Sequence, residues 1–255
     1  MSSNLQEFAK AETAQMHDSL HQFLITPIVK LHIMGIDISF TNAAFFMILL
    51  TLFIMAFQFF GTSSKLLVPN RFQSLVEVSY EFITGMIRET AGREGLVYFP
   101  LIFSLFMFVL MANTLGMIPY AYTVTSQIIV TFALAIMIFI FVTIIGFYKH
   151  GMKYFRMFLP EGTPMAVAPL LIPIEIISYC MRPVTLSVRL FANMLAGHVI
   201  LKVIAGFTVV MGIWGLAPIS LNVAIIGFEF FVAGIQAYIF TILSCLYLHD
   251  ALHLH

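Results

Sequence analysis

The sequence predicts an all-α polytopic membrane protein with about five membrane-crossing segments and one amphipathic helix at the membrane surface. Two observations lead to this fold class. Of the 255 residues, 61% are hydrophobic and only 9% are charged, whereas a soluble domain averages about 25% charged residues. Apolar runs also recur along the chain, each with the roughly 20 residues that a helix needs to span a bilayer. Too little polar sequence remains to cover such a surface in water.

The charge balance excludes several classes of function. Lys and Arg together number 12, as do Asp and Glu, so the formal net charge is zero. Nucleic-acid binding would call for a clustered basic surface, and none is visible. The two cysteines, Cys180 and Cys245, are far apart in apolar runs, so we expect free thiols. The sequence predicts no cofactor and no metal site.

The chain divides into a polar segment and one membrane domain. Residues 1–39 are of mixed polarity without a signal peptide, and we expect them on the non-cytoplasmic side. Residues 40–255 form the predicted transmembrane domain. Its first three spans are expected at Phe40–Gly61, Val97–Tyr120 and Val124–Tyr148. Because only a short turn with Pro119 separates the second and third spans, they should form a helical hairpin.

The last two apolar regions run from Met165 to Met211 and from Leu216 to Leu248. The first of them is too long for one upright span. It must be strongly tilted, bent or split, and prolines at 169, 173 and 183 are compatible with each of these outcomes.

Residues 70–93 have the pattern of an amphipathic helix. Apolar side chains recur there at helical spacing, opposite a face that carries Glu77, Glu81 and Arg88. We expect this helix to lie flat on the cytoplasmic membrane surface. The apolar positions are Phe72, Leu75, Val76, Phe82, Ile83, Met86 and Ile87.

Basic residues in the loops predict the orientation in the membrane. Two loops are basic, and the turns near 121–124 and 212–220 contain no Lys or Arg. By the positive-inside rule the basic loops lie in the cytoplasm or the matrix. Five crossings then place the N-terminus outside and the C-terminus inside. The basic residues are Lys65, Arg71, Arg88 and Arg93 in one loop, and Lys149, Lys153 and Arg156 in the other.

Arg189 is the most informative residue because it lies deep in an apolar run. A charged side chain at mid-membrane is costly and marks function. A guanidinium cannot release its proton at physiological pH, so Arg189 cannot relay protons. It can favour the ionised form of an approaching carboxyl group and repel hydronium. The alternative is a structural ion pair with Glu175, but 14 helical residues correspond to about 21 Å.

Two further side chains follow Arg189 on the same region. Asn193 is one turn later, where its amide could orient the guanidinium or merely pack against another helix. His198 lies on the opposite face, where an imidazole suits a separate aqueous path. The alternative for His198 is a buried histidine bonded to a carbonyl group. Arg182 and Lys202, nearer the ends of the region, could extend to the membrane surface.

The last apolar region carries a polar stripe. Asn222, Glu229, Gln236 and Asp250 are spaced by seven residues or a multiple of seven, so they share one face of a helix. Such a stripe lines water or another polar surface. His198 and Glu229 could meet there as a proton-exchanging pair.

Glu175 and Ser178, with Tyr179 beside them, would lie nearer the cytoplasm and could line a second path. The residues therefore suggest two offset polar paths separated by a permanent cation. Such an arrangement conducts only if a moving carrier takes a proton from one path and releases it to the other.

Three motifs resemble subunit a of the F-type ATP synthase. The most specific one is the stretch at residues 178–198, SYCMRPVTLSVRLFANMLAGH. The other two are IQAYIF at 235–240 and NTLGMIP at 113–119. The resemblance covers nearly the whole chain and keeps the order of the three motifs.

The resemblance implies a stationary subunit that faces a rotating c-ring of small hairpin subunits, each with one carboxyl group at mid-membrane. Arg189 would match the essential arginine of the family, Asn193 and Gln236 the polar residues near it, and Glu175 the acid of the cytoplasmic half-channel. Relative to enteric bacteria, the acid and the imidazole are exchanged between positions 198 and 229. Gly116 replaces an aspartate found in some members.

The resemblance also implies peripheral-stalk b subunits and surrounding lipid as partners. The last two helices should be long and steeply inclined along the ring. The expected location is the bacterial inner membrane, with the mitochondrial inner membrane as the alternative. Two other functions have less support in the sequence. A secondary transporter usually shows repeats or broken helices in both halves, and an intramembrane enzyme needs a catalytic motif such as HExxH; neither pattern is visible in the sequence.

Overall fold

The computed structural model describes residues 25–29, 32–33, 36–37, 39–63, 69–118, 122–158, 168–211 and 215–253. Over these residues the chain is almost entirely helical, which confirms the predicted all-α fold class. Five helices are long and apolar enough to cross a membrane, as the sequence indicated. The predicted non-cytoplasmic segment 1–39 lies mostly outside the described residues, as do Lys65 and Pro119.

Within the described ranges, seven helices follow one another, and short 3-10 turns connect some of them. The helices are α1 (Asn42–Ser63), α2 (Arg71–Thr90), α3 (Gly92–Gly95), α4 (Phe99–Gly116), α5 (Ile128–His150), α6 (Ala168–Val210) and α7 (Leu216–Leu252). The 3-10 turns are Leu96–Tyr98, Val124–Ser126 and Gly151–Phe158.

Two short strand pairs precede the first helix. One pair lies inside the other as nested antiparallel ladders, and helix α1 begins directly after the last strand. Thr41 caps that helix, because its hydroxyl oxygen accepts a hydrogen bond of 3.3 Å from the backbone N–H of Ala44, one of the donors that a helix start leaves unpaired. The strands are β1 (Pro27–Val29) with β4 (Phe40–Thr41), and β2 (His32–Ile33) with β3 (Ile36–Asp37).

Helix α2 is amphipathic, as predicted. The side chain of Asn70 caps its start by accepting a 2.8 Å hydrogen bond from the N–H of Arg71. Its buried face includes Val76, Ile83 and Ile87 and packs against α1, α4 and α7. The helix is thus part of the bundle, and its contact with the membrane surface stays a prediction.

Helices α6 and α7 are much longer than a bilayer is thick. They contain 43 and 37 residues, or about 65 and 55 Å at 1.5 Å per residue, against a hydrocarbon core of about 30 Å. Helix α6 is not split, because it continues through both Pro173 and Pro183. Both helices must therefore be strongly inclined in a membrane, which was one of the outcomes allowed by the sequence.

Helix α7 is the centre of the bundle. It packs against α4, α5 and α6, and the shared core includes Val109, Ile138, Leu190 and Phe240, each at most 1% exposed. The predicted hairpin of α4 and α5 exists in connectivity, but the two helices pack little on each other: α4 packs mainly on α7, and α5 packs on α6 and α7. The last helix of the sequence thus lies between two helices that are neighbours along the chain.

Candidate functional site

Arg189 points away from the core of its own chain. The residues that flank this face, Leu186 and Leu190, are buried against the bundle, whereas Arg189 is exposed. No acidic side chain in the described ranges lies within 4.0 Å of its guanidinium. The alternative of a structural ion pair with Glu175 therefore has no support, and the cation is available to another molecule.

The face around Arg189 is made of small and weakly polar side chains. Ser178, Thr185, Ala192 and Ala196 are all exposed and lie within about 60° of Arg189 around the helix axis. Asn193, one turn after Arg189, is half-buried. Small side chains allow a second helix to approach closely, so the guanidinium lies on a surface suited to a helical partner.

His198 is buried on the other side of α6 and bonds to the connection between α4 and α5. Its Nε2 lies 3.0 Å from Oγ1 of Thr123. That hydroxyl group donates its only proton to the carbonyl of Gly116 at 3.2 Å. The Thr123 hydroxyl group thus links the imidazole to the backbone at the end of α4. The partner of this ring nitrogen is thus a threonine side chain and not a backbone carbonyl.

Glu229 lies beside Gly197, the residue that precedes His198, and makes no hydrogen bond to the imidazole. Both of its carboxylate oxygens are inaccessible and have no hydrogen-bond partner among the described residues. The carboxylate packs against the Cα of Gly197, where a Cβ would come within 2.7 Å of the Glu229 Cδ. The acid thus meets α6 one residue before His198, and a direct hydrogen bond between the two side chains is absent within the described chain. Their role as a proton-exchanging pair stays a prediction.

The polar stripe of α7 faces the interior of the protein. Asn222 and Glu229 are half-buried among exposed neighbours, and Gln236 is buried. Besides both oxygens of Glu229, Oδ1 of Asn222 and Nε2 of Gln236 also have no protein partner within the described ranges. Buried polar atoms are normally satisfied, so each of these atoms can still form a hydrogen bond with a group from outside the described chain.

Asn113, on helix α4, adds a further unpaired atom to those of Asn222, Glu229 and Gln236, and these four residues form what we call the outer row. The sequence did not identify Asn113 as a site residue. It is fully buried, its Nδ2 lies 3.5 Å from the carbonyl oxygen of Ala233, and its Oδ1 has no partner in the described chain. Ala233 lies between Glu229 and Gln236 on α7. The sequence signal that could have identified Asn113 is an amide side chain inside an otherwise apolar span. Thr123 offered no such signal, because threonine is common in turns.

The other end of α6 carries Glu175 and Ser178. Glu175 is half-buried and Ser178 is exposed, and neither makes a side-chain contact with the outer row. They lie about 21 and 16 Å along the axis from Arg189, within about 40° of its direction. The inner pair and the outer row are thus on opposite sides of Arg189, as the sequence indicated.

Arg182 is not simply extended towards the membrane surface, as expected from its place in the sequence. Its Nη1 donates a 3.0 Å hydrogen bond to Oδ2 of Asp250 on α7. Asp250 is therefore paired, whereas Asn222, Glu229 and Gln236 keep side-chain atoms without a hydrogen-bond partner in the described chain. No group of three His, Cys, Asp or Glu side chains suited to a metal ion occurs within the described chain.

The Tyr122 phenol lies in the connection between α4 and α5, outside the membrane-spanning segments. It is buried, and burial raises its pKa above the ordinary value of 10, because the charged form loses solvation. The group therefore stays protonated next to the outer row.

Comparison with known proteins identifies the family of this chain. The family described as ATP synthase A chain matches residues 44–249. ATP synthase subunit a of Rhodospirillum rubrum is 52% identical over 241 residues, which cover 94% of this chain and all of that protein. The corresponding subunits of Agrobacterium fabrum and Parvibaculum lavamentivorans are each 53% identical and cover 93% and 92% of this chain, and 98% and 94% of their own lengths. The chain therefore belongs to the ATP synthase A chain family.

Proposed function

We propose that this chain conducts protons through two offset half-channels that meet a rotating c-ring at Arg189. Family membership makes the chain a non-catalytic, multi-pass subunit of the F-type ATP synthase complex. In that complex, proton transport is coupled to ATP synthesis. The residues that carry the protons, and their roles, are the content of the proposal.

Arg189 carries the proposal, because its guanidinium is exposed on α6 and has no acidic partner in the described ranges. A fixed cation stabilises the ionised form of a carboxyl group that comes within about 6 Å. A ring subunit that reaches Arg189 therefore gives up its proton. The same charge repels hydronium and so opposes direct passage between the two paths.

The outer half-channel is formed by His198, Glu229, Asn222, Gln236 and, in addition, Asn113. The unpaired buried atoms of Asn113, Asn222, Glu229 and Gln236 support this role, because each needs water or a proton donor to be stable in the membrane. His198 instead bonds to Thr123. Asn193 is the amide nearest to Arg189 along α6 and orients either the guanidinium or the arriving carboxyl group.

The inner half-channel is formed by Glu175 and Ser178. Glu175 is half-buried and Ser178 is exposed, and both lie on the side of α6 that Arg189 occupies. Glu175 accepts the proton released near Arg189 and passes it to water on the cytoplasmic side.

The cycle follows from the two paths. A proton enters through the outer half-channel and neutralises a ring carboxylate, which can then move into lipid at low cost, whereas the charged form could not. After nearly a full turn the ring subunit reaches the inner path and loses the proton beside Arg189. A potential of 100 mV contributes about 2.3 kcal/mol for each proton.

The small side chains around Arg189 support a ring as the partner on this face. The peripheral-stalk b subunits are proposed to contact α1 and α2, which do not pack extensively on α6 within the described residues. A static partner there would leave the ring free to turn.

We place the chain in the bacterial inner membrane, because the relatives are bacterial. The basic loops place the N-terminus outside and the C-terminus in the cytoplasm.

The proposal is tested with Arg189→Ala in the assembled complex. ATP-driven proton pumping into inverted membrane vesicles should be lost, while ATP hydrolysis by the soluble sector remains. Arg189→Lys should also fail, since a desolvated lysine can lose its proton. Val188→Ala, an adjacent exposed position, is the matched control and should pump normally. Pumping at the normal rate by Arg189→Ala would refute the proposal.

A further inference from the structure

Arg182 is held from three sides at one point of the α6–α7 contact. It donates to Asp250 at 3.0 Å, and the two side chains are 28% and 29% exposed. Its guanidinium also lies over two aromatic rings, 5.3 Å from the centre of Tyr179 and 4.8 Å from the centre of Tyr247. Cation–π contacts on two rings, together with the ion pair, fix the position of this charge.

The aromatic side of this site is itself anchored. The hydroxyl group of Tyr179 lies 2.6 Å from Oγ1 of Thr143 on α5 and 2.9 Å from the hydroxyl oxygen of Tyr154. Tyr154 is almost fully buried. The site therefore joins α5, α6, α7 and the 3-10 turn that follows α5. It differs from an exposed ion pair, whose members are held only by each other.

The position of Arg182 on α6 relates it to the proposed proton path. It is seven residues before Arg189, which is about 10 Å along the axis and within about 20° of the same direction. Glu175 is seven residues further towards the inner end. A proton that leaves a ring carboxyl group near Arg189 and travels to Glu175 therefore passes Arg182.

A second uncompensated cation at this point would interfere with the first. The interaction of two unit charges about 10 Å apart, at an effective dielectric constant of about 20, changes an equilibrium on the order of tenfold. An unpaired Arg182 would hold a ring carboxylate ionised at a wrong position and would repel the departing proton. Asp250 cancels that charge within hydrogen-bond distance.

We propose that Asp250 neutralises Arg182, so that ring carboxyl groups ionise beside Arg189 and not two helical turns too early. This inference rests on the proposed function of Arg189. Neither residue needs to exchange a proton or touch the ring. Both act through their effect on the charge along α6, which makes them positioning residues.

The proposal is tested by a double-mutant cycle with Asp250→Asn, Arg182→Gln and the combination of the two. ATP-driven pumping in inverted vesicles is measured per assembled complex, with the amount of the chain determined by immunoblot. Asp250→Asn leaves a bare cation and should slow pumping on the order of tenfold. Arg182→Gln removes the cation and should slow it less than about twofold. The double variant should match Arg182→Gln, so the second substitution rescues the first.

Several results would overturn the proposal. If all three variants slow pumping equally, the pair is only a mechanical tie between α6 and α7. The proposal also fails if Asp250→Asn pumps normally, or if the double variant is as slow as Asp250→Asn alone. The charge exchange R182D/D250R provides a second test if Asp250→Asn does not assemble, because it keeps the pair neutral and should pump.

The control for the underlying function is Arg189→Ala in the same vesicles. Loss of pumping in that variant, together with a normal rate in Asp250→Asn, would reject this inference alone. Normal pumping in Arg189→Ala would reject the proposed function itself.

Discussion

The contact between Gly197 and Glu229 gives the sharpest prediction about the outer half-channel. A methyl group on residue 197 would lie 2.7 Å from Cδ and 3.4 Å from Cγ of Glu229. Because non-bonded carbon atoms prefer separations of about 3.5–4.0 Å, Gly197→Ala must displace the carboxylate by about 1 Å. The displaced group is the end of a flexible side chain, so the expected cost is a change of rotamer, about 1 kcal/mol.

The effect on transport should be much larger than the effect on stability. A displacement of about 1 Å at a reacting group can lower a rate on the order of a hundredfold. We expect Gly197→Ala to lower passive proton flux through the ring-containing membrane sector by ten- to a hundredfold, with a normal amount of assembled complex. The assay is proton flux into potassium-loaded vesicles after a valinomycin-induced diffusion potential.

Gly227→Ala is the matched control. Gly227 is on the same helix as Glu229, and a methyl group there would meet nothing within 4 Å in the described chain. The same chemical change should therefore leave flux unaffected. A second variant, Glu229→Asp in the Gly197→Ala background, shortens the acid by one methylene group and should restore part of the flux. Normal flux in Gly197→Ala would refute the geometric argument.

Two further predictions concern packing and the imidazole. Gly146→Ala would bring a methyl group within 2.8 Å of the buried ring of Tyr154 and should destabilise the complex by about 1–3 kcal/mol. Gly85→Ala is the control, because a methyl group there meets nothing within 4 Å in the described chain. Thermal unfolding of the detergent-purified complex compares the two variants. Thr123→Val removes the hydroxyl group that bonds to His198 and should lower passive proton flux several-fold. Thr123→Ser keeps the hydroxyl group and should retain the flux. Equal flux in both variants would contradict a role for this hydrogen bond.

The proposed site residues on α6 and α7 could be identified in the sequence because each is an exception within an apolar run. Arg189, His198 and Glu229 stood out by their cost in a membrane, and the spacing by sevens placed Asn222, Glu229 and Gln236 on one face. The structure agrees with that shared face. It also adds Asn113 and Thr123, whose importance follows only from the neighbours that they meet.

Arg182 shows where the interpretation of the sequence was incomplete. Its place near the end of an apolar region suggested a side chain that extends towards water. The structure pairs it with Asp250, which is 68 residues later, and encloses it between Tyr179 and Tyr247. No local pattern connects residues so far apart, because the pairing depends on how α6 and α7 cross.

The sequence by itself determined that the chain spans a membrane, which stretches cross it and which ionisable residues need a function. These properties depend on local composition and helical period, since the bilayer acts on each segment separately. Only the tertiary structure decided that α7 lies between α4 and α5, that Arg189 has no acidic partner in the described chain, and that Glu229 packs on Gly197. Those facts depend on contacts between distant segments, and the shapes of two packed surfaces set them.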